Sequence, residues 1–210
     1  MVSEDIGSLL HGSSYQAPGG GALYEPLREK MIAVALEMGY DRETMTECGV
    51  NWSDDQDPFK HVKNHGYMHY MTACNMRVVF SFEKWLGKER FDDFMNVRHI
   101  GCVVQSLTLN LKRPVKFPDS LLVANRITKV LPDRYFGITT IWSLRQQAIV
   151  AENTGYMTFF NYDTGKPANL IEAGGVYKDL HDALVARMEK ENKIAEQWEK
   201  DHPKKVKAKI

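Results

Sequence analysis

Asp54, Asp55, Asp57, His61, Asn64 and His65 fall within twelve consecutive positions and form the densest group of proton-moving side chains in the chain. A carboxylate in such a group can take a proton from water or attack an electrophilic carbon itself. An imidazole or amide beside it can orient the reacting partner. The same residue types ligate metals, but the string lacks the HExxH and CxxC spacings that make a metal site specific, so no metal is expected. A third use needs no ligand at all, because acids ahead of a helix favour its positive N-terminal dipole. Residue types alone leave these alternatives open. Cys48, Cys74 and Cys102 are odd in number and far apart. They read as buried thiols in a reducing compartment.

The cluster needs an element to hold it, and the spacing behind it predicts a long helix from about Asn64 to Trp85. Met71, Cys74, Val78, Phe82 and Trp85 are spaced 3, 4, 4 and 3, one face of a 3.6-residue repeat. Asn64 suits the start and Gly87 the stop, with a shorter helical piece over Lys88–Asn96. Upstream, Pro18-Gly19-Gly20-Gly21 ends a leader over 1–22; a helix is expected from Tyr24 to Met38 and a short strand over Met45–Trp52. After Val97 the period changes to two. Val103, Leu107, Leu109 and Leu111 open a strand, punctuated by Pro114 and Pro118. Leu121–Leu131, Phe136–Leu144 and Ala148–Tyr162 follow as further strands. A charged amphipathic helix with Leu180, Leu184 and Met188 on one stripe covers 176–200, ahead of a basic tail. The expected fold is α+β, a long central helix wrapped by a curved antiparallel sheet with extra helices at both ends. The divisions are a leader over 1–22, a main domain over 23–175, and a terminal helix and tail over 176–210.

Composition narrows the partners. The 210 residues carry 27 Lys+Arg against 27 Asp+Glu, so there is no basic excess for a generic nucleic-acid binder. Hydrophobic residues at 43% and charged residues at 26% are ordinary globular usage. No apolar run approaches a membrane span. Glu4 and Asp5 speak against a secretory or mitochondrial leader. The expectation is an intracellular, soluble protein.

The whole string over 52–70, W-S-D-D-Q-D-P-F-K-H-V-K-N-H-G-Y-M-H-Y, resembles the hotdog-fold thioesterases of the 4-hydroxybenzoyl-CoA type. Asp57 falls on that family's catalytic Asp, with Pro58 beside it; His61-Val62, Asn64, Tyr67 and Tyr70 fall on the rest of the pattern. Leu111-Lys112-Arg113-Pro114 with Pro118-Asp119-Ser120-Leu121, and Tyr162-Asp163-Thr164-Gly165, match its later segments. The likeness covers roughly 46–170. Lys60 and Lys63 replace the family's glycine and first Asn. Thr72 stands where an acid is common, Asn75 where an Arg is common, and Pro118 where the loop glycine is found.

The resemblance implies hydrolysis of an acyl thioester, an acyl-CoA above all, in lipid or polyketide metabolism. Asp57 would be base or nucleophile, with His61 or Asn64 orienting water or substrate. The amides of His65 and Gly66, with Tyr67 and Thr72, would bind the oxyanion or substrate. Arg113, Lys112 and Lys116 are candidates for the coenzyme A phosphates, and Met68, Met71 and Met76 for core packing or an adaptable acyl tunnel. No cofactor is implied beyond the coenzyme A of the substrate. A homodimer or homotetramer with shared sites is implied too. The rivals are a dehydratase or hydratase, approached by Asp55-Gln56-Asp57-Pro58-Phe59-Lys60-His61, and a non-catalytic acyl-binding protein on the same scaffold. Ala208-Lys209-Ile210 has the small-basic-aliphatic form of a peroxisomal address, so the location expected is cytoplasmic or peroxisomal.

Overall fold

A computed structural model describes residues 24–203. The leader and the Ala208-Lys209-Ile210 address therefore lie outside the described residues. Pro26 sits in the first turn of α1 (Glu25–Glu37), where its missing N–H costs no helical bond. A short turn leads to β1 (Thr46–Gly49), the middle of the strand expected over 45–52. The acidic turn then enters α2 (Asn64–Phe80), which is followed by α3 (Glu83–Met95). Four long strands come next, β2 (Ile100–Leu111), β3 (Ser120–Leu131), β4 (Arg134–Ser143) and β5 (Ala148–Asn161). β6 (Lys166–Pro167), α4 (Leu170–Ala173) and α5 (Gly175–Asp201) close the described chain.

All strand pairs are antiparallel, in the order β1-β3-β4-β5-β2, with β6 on the end of β5. β1 and β2 are thus the outer strands of the main path. Alternation along β3 assigns the two faces. Leu121 and Val123 pack with Tyr70, Met71 and Cys74 of α2, while Leu122 and Ala124 pack with Met31 and Ala35 of α1. The sheet is therefore covered by the central helix on one face and by α1 on the other. No described helix is long and apolar enough to cross a membrane.

The single helix expected over 64–85 is two. The hydroxyl of Ser81 turns back to donate to the Val78 carbonyl at 2.6 Å, and the Phe82 amide donates to Val79 O at 3.0 Å. Such local bonds compete with the i→i−4 ladder and end it. The apolar face survives the break, since Phe82 joins Val78, Ile127, Phe159 and α5's Leu180 and Leu184 in one buried cluster. Gly87 interrupts α3 as expected: at φ 70° and ψ 162° it is non-helical and parts the turn over 83–86 from the helical residues 88–95, close to the piece expected over Lys88–Asn96. α5 runs past β3 at a bulge between Ile127 and Lys129. There the Glu191 carboxylate accepts the Ile127 amide at 2.6 Å, in place of a ladder partner, and pairs with Arg187 at 2.7 Å. Burial pushes the Glu191 carboxyl up from its ordinary value, against the pull of Arg187. The three thiols are buried deeply enough for burial to push each to about 12, so none is a ready nucleophile.

Candidate active site

The acids of the turn have unequal surroundings. Asp54 is exposed. Asp55 is 2% exposed, accepts the Asn51 amide at 2.6 Å, and lies beneath the start of α2, close to the Tyr70 hydroxyl. Burial, and then the Asp55 charge, push the Tyr70 phenol far above its ordinary value. Asp55 is thus a tie that shapes the loop. Asp57 is half-buried, and its Oδ1 accepts the amides of Phe59 and His61 at 2.8 and 2.9 Å. Those bonds fix the carboxylate in one orientation and leave Oδ2 with no hydrogen-bond partner among the described residues. The tight turn behind it forces Lys60 to φ 63°, a left-handed conformation that suits glycine better.

The acidic turn does not cap the central helix through a side chain. The residue before α2 is Lys63, which offers no cap acceptor. Of the two amides expected to bind an oxyanion, that of Gly66 donates to Lys63 O at 3.0 Å and is already engaged. His65 lies one residue nearer the N-terminus, where an α-helix supplies no i−4 partner. Asn64 and His65 are exposed and His61 is half-buried, whereas Tyr67 is buried, its phenol pushed by burial to about 12. The His65 and His69 rings meet edge to face with centroids 6.2 Å apart.

Thr72 belongs to a different part of α2. It donates to Met68 O at 2.8 Å and lines a cavity of about 100 Å³ between the helix and strands β2 to β5, together with Met68, Met71 and Asn75. Asp57, His61 and Asn64 are not in that lining. Eight residues separate Asn64 from Thr72, about 12 Å along a helix axis. Of the three cations proposed for phosphates, Lys112 is ion-paired with Glu152, while Arg113 and Lys116 are exposed. Among the described residues, no group of three His, Cys, Asp or Glu could hold a metal ion.

The sequence reading missed the floor of this cavity. Asn125, Thr139 and Asn153 sit side by side on β3, β4 and β5, facing α2. The signal was a polar residue at an inward position of each strand, as with Asn125 between Val123 and Ile127.

The thioesterase-like superfamily model matches residues 50–187. No curated protein matches the chain. Among solved structures, the chain is similar to a DHNA-CoA thioesterase from Staphylococcus aureus at 17% identity and TM-score 0.55, over 68% of this chain and 90% of that one. A second Staphylococcus aureus protein, solved in complex with CoA, gives 13% identity and TM-score 0.57 over 70% and 84% of the two chains. YbaW of Escherichia coli gives 17% and 0.50 over 69% and 97%. At these identities the structures establish a shared fold, the hotdog architecture of an antiparallel sheet around a central helix.

Proposed function

The chain belongs to the thioesterase-like superfamily, and from that premise we propose that it hydrolyses an acyl-CoA to the free acid and coenzyme A. The observation that carries this reading is the Asp57 carboxylate, held by two amides of its own turn immediately ahead of the central helix. As general base, Asp57 takes a proton from water while the water oxygen attacks the thioester carbon. As nucleophile, it attacks that carbon itself to give an anhydride that water then splits. In either route the C–S bond breaks, the thiolate leaves and is protonated, and the carbonyl oxygen gathers negative charge. The positive end of α2 and the amide of His65 suit that charge. The solved relative in complex with CoA supports a coenzyme A thioester as the substrate class. Arg113 and Lys116, the exposed cations of the β2–β3 loop, are the side chains we assign to its phosphates. We assign the assembly as a homodimer built on the open edge of β2.

The test is a panel of acyl-CoAs read for free thiol and for double-bond formation. Thiol release is expected, and Asp57→Asn should lower turnover by about 10²–10⁴-fold with the fold unchanged. Asp54→Asn should stay within a few-fold of the parent. Equal rates in all three proteins would overturn the role of Asp57. A double bond without thiol would mean a dehydratase, and binding without turnover a non-catalytic acyl-binding protein.

A further inference from the structure

A polar row crosses the buried face of the sheet where apolar residues are the rule. Asn125 pairs with Thr139, and Thr139 with Asn153, so the three lie abreast on adjacent strands. On one side the next inward row is Val123, Ile141 and Ala151, all fully buried and apolar. On the other side the next inward row includes Gly137 opposite Gly155. Two paired glycines leave that patch of sheet without side chains, and the cavity opens there against Met68, Met71 and Asn75 of α2.

The row is only partly satisfied from within. Asn125 Nδ2 donates to Thr139 Oγ1 at 3.0 Å, and Thr139 Oγ1 reaches Asn75 Oδ1 at 3.4 Å. Asn125 and Asn153 are 5% and 9% exposed, yet the Oδ1 of each has no hydrogen-bond partner among the described residues. Buried acceptors without donors are costly and uncommon, and here two of them line one cavity. None of the described lining residues is charged. The chemistry that fits is a neutral group offering O–H donors, on a ligand whose remainder is apolar enough for the methionines.

We propose that this cavity selects acyl groups bearing a hydroxyl on the chain, with Asn125 and Asn153 as the specificity-determining acceptors. The proposal rests on the acyl-CoA reading above and adds the class of acyl group. A plain saturated chain would leave both acceptors buried and unpaired. A carboxyl-terminated chain would bring a charge against two carbonyl oxygens, with no cation in the described lining to meet it. Sites built to hydrogen-bond a substrate hydroxyl discriminate strongly against analogues that lack it.

The experiment compares matched acyl-CoAs at two chain lengths: butyryl, 4-hydroxybutyryl and succinyl, then decanoyl, 10-hydroxydecanoyl and sebacoyl. At the length turned over best, the hydroxylated compound should exceed both partners in kcat/KM by about tenfold or more. Asn125→Leu and Asn153→Leu should each shrink that preference, while thermal unfolding reports whether either variant has lost its fold. Equal rates for hydroxylated and plain chains in the parent protein, or a preference for the carboxylated one, would overturn the proposal whatever the variants do. If no compound is hydrolysed, the hydrolase reading fails separately. Calorimetric binding of the same compounds then decides the cavity, tighter binding of the hydroxylated members upholding it and equal binding overturning it.

Discussion

Asp57 and Asp55 are two residues apart and do different work, because the turn points one carboxylate at its own amides and buries the other under the helix. That difference was not legible in the string D-D-Q-D, where the three acids look interchangeable. The turn's position was legible, through Asp57-Pro58 and the His61-Val62 pair that precede a helical repeat. Asp55→Ala should cost about 1–3 kcal/mol of stability, since it strands the Asn51 amide, whereas Asp54→Ala should cost next to nothing. Urea unfolding at neutral pH separates the two. Lys60 stands where the family has a glycine, and its φ of 63° gives the physical reason that glycine suits the position. A side chain in that conformation costs about 1–2 kcal/mol, set against the about 0.5–1 kcal/mol of extra chain entropy that glycine loses on folding. Lys60→Gly should therefore be slightly more stable than the parent, and the β-branched Lys60→Val less stable than both.

At the scale of elements, the strands after residue 100 were visible from their period, and so were the helices at 25–37 and 175–201. The break at Ser81 was invisible, because a hydroxyl folded back on Val78 O leaves the apolar spacing of 71, 74, 78 and 82 untouched. The polar row was invisible for another reason. Asn125, Thr139 and Asn153 become neighbours only once the β3–β4 and β4–β5 registers are set, and register is a property of pairs. The bulge at Ile127 carries a pH prediction. The Glu191 carboxyl is raised by burial, so the native state holds its proton more tightly than the unfolded chain does. Its contribution to stability is greatest below the ordinary glutamate range and is lost as pH rises through the raised value. Relative to Glu191→Gln, whose amide oxygen can still accept the Ile127 amide, the parent should become steadily less stable as pH climbs out of the acid range. Parallel urea curves for the two proteins at all pH values would show that Glu191 titrates alike in both states. Gly155 gives a second test, since a Cβ there would stand 2.2 Å from Ser106 O. Gly155→Ala must push β2 away from β5, and the loss of stability should exceed that of an ordinary surface substitution, by about 2 kcal/mol or more.

For the whole molecule, the question is what lies along the free side of β2. The strand runs from Ile100 to Leu111 and pairs with β5 alone among the described long strands, so one row of its backbone donors and acceptors is open. Natural edge strands are shielded by charge, proline, shortness or a covering element. β2 has twelve residues, and the sequence Ile-Gly-Cys-Val-Val-Gln-Ser-Leu-Thr-Leu-Asn-Leu contains neither a charge nor a proline. Val104, Leu107 and Leu111 are 53, 42 and 47% exposed, apolar side chains set along an unguarded edge. Formal net charge is zero, so no long-range repulsion opposes contact between copies. An antiparallel partner strand would satisfy the row, and a second copy of β2 is self-complementary about a two-fold axis. The cavity lined by Val104, Ser106 and Leu107 would then lie beside the subunit boundary, which ties assembly to activity. Light scattering at micromolar concentration should give at least twice the chain mass of 24.0 kDa. Leu107→Arg together with Leu111→Arg places cations along the strand and should shift the protein to single chains, with acyl-CoA turnover falling in step. A parent protein that scatters as one chain, or a double variant that stays associated, would remove β2 as the interface and leave its open edge to some other cover.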